Sequence, residues 1–120
     1  MRIMKNHTLV SIIMPVYNAG DFLVAAIDSI KNQTYENWEL LAVNDGSTDN
    51  SLLLLKKVAK KDPRIRIYSL KENLGLGAAA NLAIQNAKGK YLARFDADDV
   101  MPKNRLQLKI NYLKNHSEIL

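Results

Sequence analysis

Leu9-Val10-Ser11-Ile12-Ile13-Met14 is a nearly continuous apolar run, β-branched in part and ended by Pro15. Such a run suits a strand buried on both faces. Tyr17-Asn18-Ala19-Gly20 reads as a loop. Asp21 is placed to cap the next segment, where Phe22, Leu23, Ala26, Ile27 and Ile30 recur at helical spacing. Gln33 to Asn37 breaks that pattern. A second apolar run, Trp38-Glu39-Leu40-Leu41-Ala42-Val43, leads straight into the turn Asn44-Asp45-Gly46-Ser47-Thr48-Asp49, where Ser47 or Thr48 is expected to cap a helix. That helix carries Leu52, Leu55, Val58 and Ala59 on one face and stops before Pro63.

Arg64-Ile65-Arg66-Ile67-Tyr68 alternates, which predicts a third strand with a polar side, near a sheet edge. Lys71 to Gly77 is a loop. Ala78 to Ala87 reads as a helix with Ala79, Ala83, Ile84 and Ala87 inward, closed by Lys88-Gly89. Tyr91 to Phe95 is a fourth strand, and Pro102 stands at the first position of a last helix whose inner face is Leu106, Ile110 and Leu113. Met1 to Thr8 is polar and expected to fray. The order βαβαβαβα with short loops predicts an α/β fold: a mostly parallel sheet, right-handed crossovers and helices on both faces. Its 120 residues make one domain, residues 1–120, with enough chain for a real core.

Charge adds a preference for partner. The net charge of +5 suits an anion such as a nucleotide or a membrane surface, and we expect no nucleic acid. The cations are scattered, however, at Lys31, Lys56, Lys57, Lys60, Lys61, Lys103 and Lys109, as on any solubilising surface. The absence of cysteine removes disulfides and thiolate metal sites. His7 and His116 lie far apart near the two ends, which argues against a histidine zinc site. No apolar run approaches the roughly 18 residues of a membrane span, and no signal-peptide core is visible.

The densest chemistry lies in Arg94-Phe95-Asp96-Ala97-Asp98-Asp99, between the fourth strand and the last helix. Ligands of parallel α/β sheets bind at that edge. Crowded carboxylates repel unless a cation sits among them, and Mg²⁺ or Mn²⁺ would share its oxygen ligands with substrate phosphates. A metal clamp for a diphosphate is one reading; a solvated acidic turn that caps the next helix is the other. An EF-hand loop fits poorly, since counting from Asp96 puts Met101 at the glycine position and Gln107 at the glutamate position. Tyr17, also past a strand end, can stack on a flat base or pack on the surface. Asp45 can accept from a base or a ribose, in a turn that would otherwise merely cap. Gly75-Leu76-Gly77 meets the dinucleotide fingerprint only in part, because its third glycine position is Ala80.

Four of these features, in order, resemble the N-terminal, nucleotide-binding half of a family 2 glycosyltransferase with the GT-A fold. They are the strand ending in Pro15-Val16-Tyr17-Asn18, the turn at 44–49, the Asn73-Leu74-Gly75 to Asn81 segment, and Ala93 to Asp99 with its D-x-D pattern at Asp96-Ala97-Asp98. The resemblance covers nearly the whole chain. It implies that Tyr17 stacks on the base and Asp45 binds the base edge, with Pro15, Asn44 and Gly75 around the nucleotide. It also implies that Asp96 lies near the ribose and Asp98 holds Mn²⁺ or Mg²⁺, with Asp99 a weaker metal ligand. The partners implied are a nucleotide-sugar donor, most simply a UDP-sugar, and a saccharide or lipid-linked acceptor. The expected setting is the cytoplasm, including the inner face of the membrane for the full-length protein.

The sequence departs from the family pattern at Asn44, where members often carry a second Asp. The family's inverting members use a carboxylate base from a C-terminal half that also binds the acceptor. We therefore expect these residues to be the donor-binding half of a longer enzyme, with no catalytic base and no transfer by themselves. Two readings stand against this: a non-catalytic nucleotide-binding module of the same fold, and a receiver-like signalling domain. The receiver needs a phospho-acceptor Asp ending a middle strand, and strand three ends at Tyr68-Ser69 without an acid.

Overall fold

The computed structural model describes residues 8–115, and the predicted elements follow one another in the predicted order. Residues 1–7, expected to fray, and both histidines lie outside the described residues. The elements are β1 (Val10–Val16), α1 (Gly20–Lys31), β2 (Trp38–Asp45), α2 (Ser51–Lys61), β3 (Ile65–Leu70), α3 (Leu76–Gln85), β4 (Tyr91–Arg94) and α4 (Arg105–Asn115). The strands form one sheet in the order β3-β2-β1-β4, and every pairing is parallel. The α/β class is as expected, with β3 at an edge.

Strand alternation divides the core in two. Val10, Ile12, Met14 and Val16 of β1, with Trp38, Leu40 and Ala42 of β2, face α1 (Leu23, Ala26, Ile27, Ile30), Leu55 of α2, and Leu106 and Ile110 of α4. Ile13, Leu41 and Val43 face the other way, onto Ala79, Ala80 and Ala83 of α3. The strand order explains why α3 stands alone. From β1 through β3 the chain steps in one direction, so right-handed crossovers put α1 and α2 on one face. The connection to β4 reverses direction and puts α3 on the other.

Several local expectations shift. β1 does not stop before Pro15 but continues to Val16, with Pro15 in register with Val43. Proline lacks the N–H a central strand needs. Here the Phe95 N–H donates to the Ile13 carbonyl (3.0 Å), after which the β4 chain turns away. Pro15 points its nitrogen to that same side two residues on, where no ladder remains. Asp21 does not cap α1; it lies within the first turn, and Ala19 is the cap residue without a side-chain bond. In α2, Leu54 rather than Leu52 packs against the core beside Leu55. Ile84 of α3 is exposed and Ala80 takes its inward place, because the helix turns its alanine stripe to the sheet. Pro102 precedes α4 by three residues, in a turn where its carbonyl accepts from the Arg105 N–H (3.1 Å).

At the N-terminal ends of the strands the α3 face is polar. Ser11 and Glu39 are register partners, and both are buried. The Ser11 hydroxyl (2.6 Å) and the Lys88 N–H (2.7 Å) donate to one Glu39 oxygen, and Arg66 donates to the other (2.7 Å). Arg66 also donates to the Asn86 carbonyl, and Gly89 N–H to the Ser11 hydroxyl. This network fixes the α3–β4 connection to the sheet floor. Burial alone would raise the Glu39 pKa, but hydrogen bonds from Ser11, Lys88 and Arg66 and the Arg66 charge outweigh it and hold the carboxyl below its ordinary range.

A depressed carboxyl contributes stability that is complete above its unfolded pKa and is lost as pH falls through the folded one. Denaturant midpoints of the chain should therefore hold above about pH 5 and fall progressively below about pH 4. Glu39→Gln presents an NH₂ where donors already converge and should cost about 2–4 kcal/mol at neutral pH. The variant should also lose part of the acid-range slope. Urea titrations across pH read both; an unchanged slope would remove Glu39 from the acid response.

Candidate functional site

The sheet order reverses between β1 and β4, and a parallel α/β sheet offers its ligand crevice at the C-terminal ends of the strands flanking such a point. A cleft of about 440 Å³ opens there. Four loop regions meet in it: Pro15 to Ala19 after β1, Asp45 at the end of β2, Asn73 to Leu76 before α3, and Arg94 to Asp98 after β4. Phe22 of α1 completes one side.

The first two loops are bonded to each other. Asn18, at φ 48, holds a left-handed backbone that asparagine tolerates. Its side-chain oxygen accepts from the N–H of Thr48 (2.8 Å) and of Asp49 (3.3 Å), and its own N–H donates to the Ser47 hydroxyl (3.0 Å). Asp49 in turn accepts from the Gly20 N–H (3.0 Å), and Ser51 Oγ accepts from the Ala19 N–H (3.0 Å). The start of α1 is thus capped from a remote loop. Asp49, not Ser47 or Thr48, accepts from the first N–H of α2, that of Ser51 (2.9 Å). The Ser51 side chain beside it, more than the N–H groups of Ser51 and Gly20, holds the Asp49 carboxyl below its ordinary range.

Asp45 is fully buried, and its two oxygens accept from the N–H of Leu74 (2.8 Å) and of Gly75 (3.0 Å). One carboxylate therefore ties the end of β2 to the start of α3. Two glycines permit the arrangement. Gly46 has φ 67, and a Cβ there would stand 2.4 Å from the Glu72 carbonyl carbon and the Asn73 nitrogen. Gly75, with φ 101 and ψ 153, occupies a region open essentially to glycine alone. Asn44, one residue earlier, has the opposite parity and faces β3: it donates to Ser69 Oγ (3.1 Å) and accepts from the Ser47 N–H (3.2 Å).

The acidic loop is held at both ends. Phe95 is bonded to Ile13, and Met101 donates its N–H to Ser29 Oγ (2.9 Å). Gln33 donates to the Pro102 carbonyl (2.7 Å) and accepts from the Leu106 N–H (3.1 Å). Between these anchors Phe95 and Ala97 are buried, so Asp96 and Asp98 alternate outward, and both line the cleft. Asp99 does not; its carboxylate accepts from the Val100 N–H (2.8 Å).

Of the residues picked out in the sequence, Pro15, Tyr17, Asp45, Gly75, Asp96 and Asp98 meet in one cleft, whereas Asn44 and Asp99 point elsewhere. Tyr17 is 42% exposed, and the neighbouring Phe22, which sequence spacing assigned to the core, is 55% exposed. Arg94 and Asn73 also line the cleft without having been given a role. The three acids do not close on one point: among the described residues no three carboxylates or imidazoles are placed to hold a metal together. Two carboxylates on one cleft fit a hard cation all the same, because Mg²⁺ and Mn²⁺ take one or two protein carboxylates and complete their shell with water and phosphate.

Comparison with known proteins agrees with this fold. The sequence model of "Glycosyl transferase family 2" matches residues 11–120. An "Uncharacterized glycosyltransferase" of Haemophilus influenzae is 43% identical over 116 residues, which are 97% of this chain and 36% of the relative. The crystal structure of S. aureus TarS 1-349 in complex with UDP superposes with a TM-score of 0.83 at 27% identity, over 90% of this chain and 32% of that one. A mannosyltransferase, PcManGT from Pyrobaculum calidifontis in complex with GDP-Man and Mn²⁺, gives 0.81 at 27% identity, over 87% and 32%. The chain thus spans about a third of these proteins. With the family pattern matched over nearly all of its length, the chain belongs to glycosyl transferase family 2.

Proposed function

We propose that the chain binds the nucleotide-sugar donor, a UDP-sugar, for an inverting transfer of a hexosyl unit to a hydroxyl of a saccharide or lipid-linked acceptor. The observation that carries this reading is the meeting of Tyr17, Asp45, Gly75, Asp96 and Asp98 in one cleft at the reversal of the sheet. Tyr17 offers its exposed ring to the base. Asp45 keeps lone pairs beyond those used by Leu74 and Gly75, and its rigid setting suits recognition of a base edge. Asp96 serves the ribose, and Asp98 takes the divalent ion. Bound there, Mn²⁺ or Mg²⁺ would neutralise charge on the departing nucleoside diphosphate. Asn44 supports the cleft from behind, as the partner of Ser69 and Ser47. The acceptor and the base that deprotonates it belong to other parts of the enzyme. Related proteins bound to UDP and to GDP-Man with Mn²⁺ support a nucleotide donor and a metal.

Calorimetry with UDP and Mn²⁺ tests the base contact. Tyr17→Ala should weaken binding by about 1–3 kcal/mol, and Tyr17→Phe by much less, since the stacking face is kept. Equal losses would assign the effect to the hydroxyl; no loss in either would return Tyr17 to the surface.

Thermal melts separate the metal site from a mere capping turn. Saturating Mn²⁺ and UDP, at about a hundred times the dissociation constant, should stabilise the chain by roughly 2.7 kcal/mol, or on the order of 10 °C. Asp98→Asn should keep the stability of the metal-free protein or raise it slightly, and should lose most of that shift. A shift of wild-type size in the variant would remove Asp98 from the site.

A further inference from the structure

We propose that Arg94 is the protein's own cationic contact to the phosphoryl oxygens of the nucleoside diphosphate, acting beside the metal-binding acids. The inference rests on the donor reading above. Arg94 is the last residue of β4 and stands in register with Ile13. Ala93 packs toward α1, so alternation turns Arg94 to the α3 side, where its side chain lines the cleft with Asp96 and Asp98. Among the described residues no other arginine or lysine lines that cleft.

Its lack of a partner is the second observation. Arg64 is paired with Asp62 and Arg66 with Glu39, the two ion pairs among the described residues. Arg94 has carboxylates two and four positions away on the same cleft, yet makes no ion pair or hydrogen bond among the described residues. Phe95 and Ala97, buried between the charged residues, keep the three side chains facing solvent rather than one another.

A guanidinium presents N–H donors in a planar fork that matches two phosphoryl oxygens. Acids outnumber bases in the cleft by Asp45, Asp96 and Asp98 to Arg94, so an anion arriving there meets repulsion. A divalent ion offsets part of it. Arg94 supplies a positive charge on the same cleft that needs no ion.

Calorimetry on the 120-residue chain, with Mn²⁺ alone, with uridine, and with UDP plus Mn²⁺, tests the assignment through Arg94→Gln and Arg94→Lys. Arg94→Gln should weaken UDP by about 10–100-fold, the worth of a charge-assisted hydrogen bond. Uridine should bind as in wild type, and Mn²⁺ alone as well or better, because a like charge is gone. Arg94→Lys should recover part of the UDP affinity. UDP binding unchanged in Arg94→Gln overturns the proposal, as does a parallel loss for uridine, which would mean the cleft itself has been distorted. A loss seen for a UDP-sugar but not for UDP overturns it too, and moves Arg94 to the sugar. A wild-type chain that binds neither uridine nor UDP refutes the donor reading itself, and Arg94's role with it.

Discussion

The carboxylate of Asp45 is the interaction on which the cleft depends. A buried charge is costly unless it is fully hydrogen-bonded. Asp45 meets that demand with the N–H groups of Leu74 and Gly75, two donors at the point where the chain enters α3. Because β2 is central to the sheet and α3 is the one helix on its face among the described residues, this one group fixes the loop between β3 and α3 against the sheet. The glycine at position 46 lets the loop approach to within contact of the backbone at 72–73. A side chain that organises the site in this way is already in place before any ligand arrives, and a preorganised polar group loses little on binding.

The neighbouring loops follow the same logic. Asn18 accepts from the N–H groups of Thr48 and Asp49, and Asp49 accepts from the Gly20 N–H, so that the β1–α1 and β2–α2 turns act as one unit. Tyr17, just before Asn18, inherits its position from that lock. On the far side Ser29 and Gln33 of the α1 region hold the chain after the acids. The cleft therefore combines loops tied to one another, and Asp49, Ser29 and Gln33 help to set its shape without lining it.

Much of the fold was legible because the apolar runs carry their own parity. β1 and β2 read as strands buried on both faces, and alternation in β3 read as an edge. What escaped was whatever one loop does for another. Asp49, Ser29 and Gln33 give no local sign of their partners, which lie 29 to 73 positions away. The caps were accordingly assigned to the nearest suitable residues, Asp21, Ser47 and Thr48, by a rule that assumes a helix caps itself. The site was legible as a set of strand ends, but not residue by residue. Asn44 and Asp45 are adjacent and chemically alike, yet a strand turns adjacent residues to opposite faces. Asp45, which shares the face of α3, lines the cleft, and Asn44 is bonded to Ser69 and Ser47 instead. Asp99 lies off the cleft lining, and one of its oxygens accepts from the Val100 N–H. Glu39 and Arg66 could have been found: charges within strand-forming runs demand partners, and each is the other's.

The carboxylates of this domain are of two kinds, those with internal donors and those without, and the first kind occurs at both ends of the strands, with Asp45 and Asp49 at the ligand edge. Glu39, at the N-terminal end of the sheet, is saturated with donors and held below its ordinary range. So is Asp62, chiefly by hydrogen bonds from Arg64, which outweigh the opposing effect of burial and are reinforced by the Arg64 charge. Asp96 and Asp98, at the C-terminal end, have no side-chain partner among the described residues. Groups of the first kind contribute to folding, and their loss is felt as instability. Groups of the second kind contribute little to it, because nothing in the folded chain depends on their charge. That difference is what a binding edge requires: acids kept free of internal partners can turn to a cation. At the ligand edge the two kinds stand side by side: Asp45 holds the start of α3, while Asp96 and Asp98 face the same cleft without internal partners.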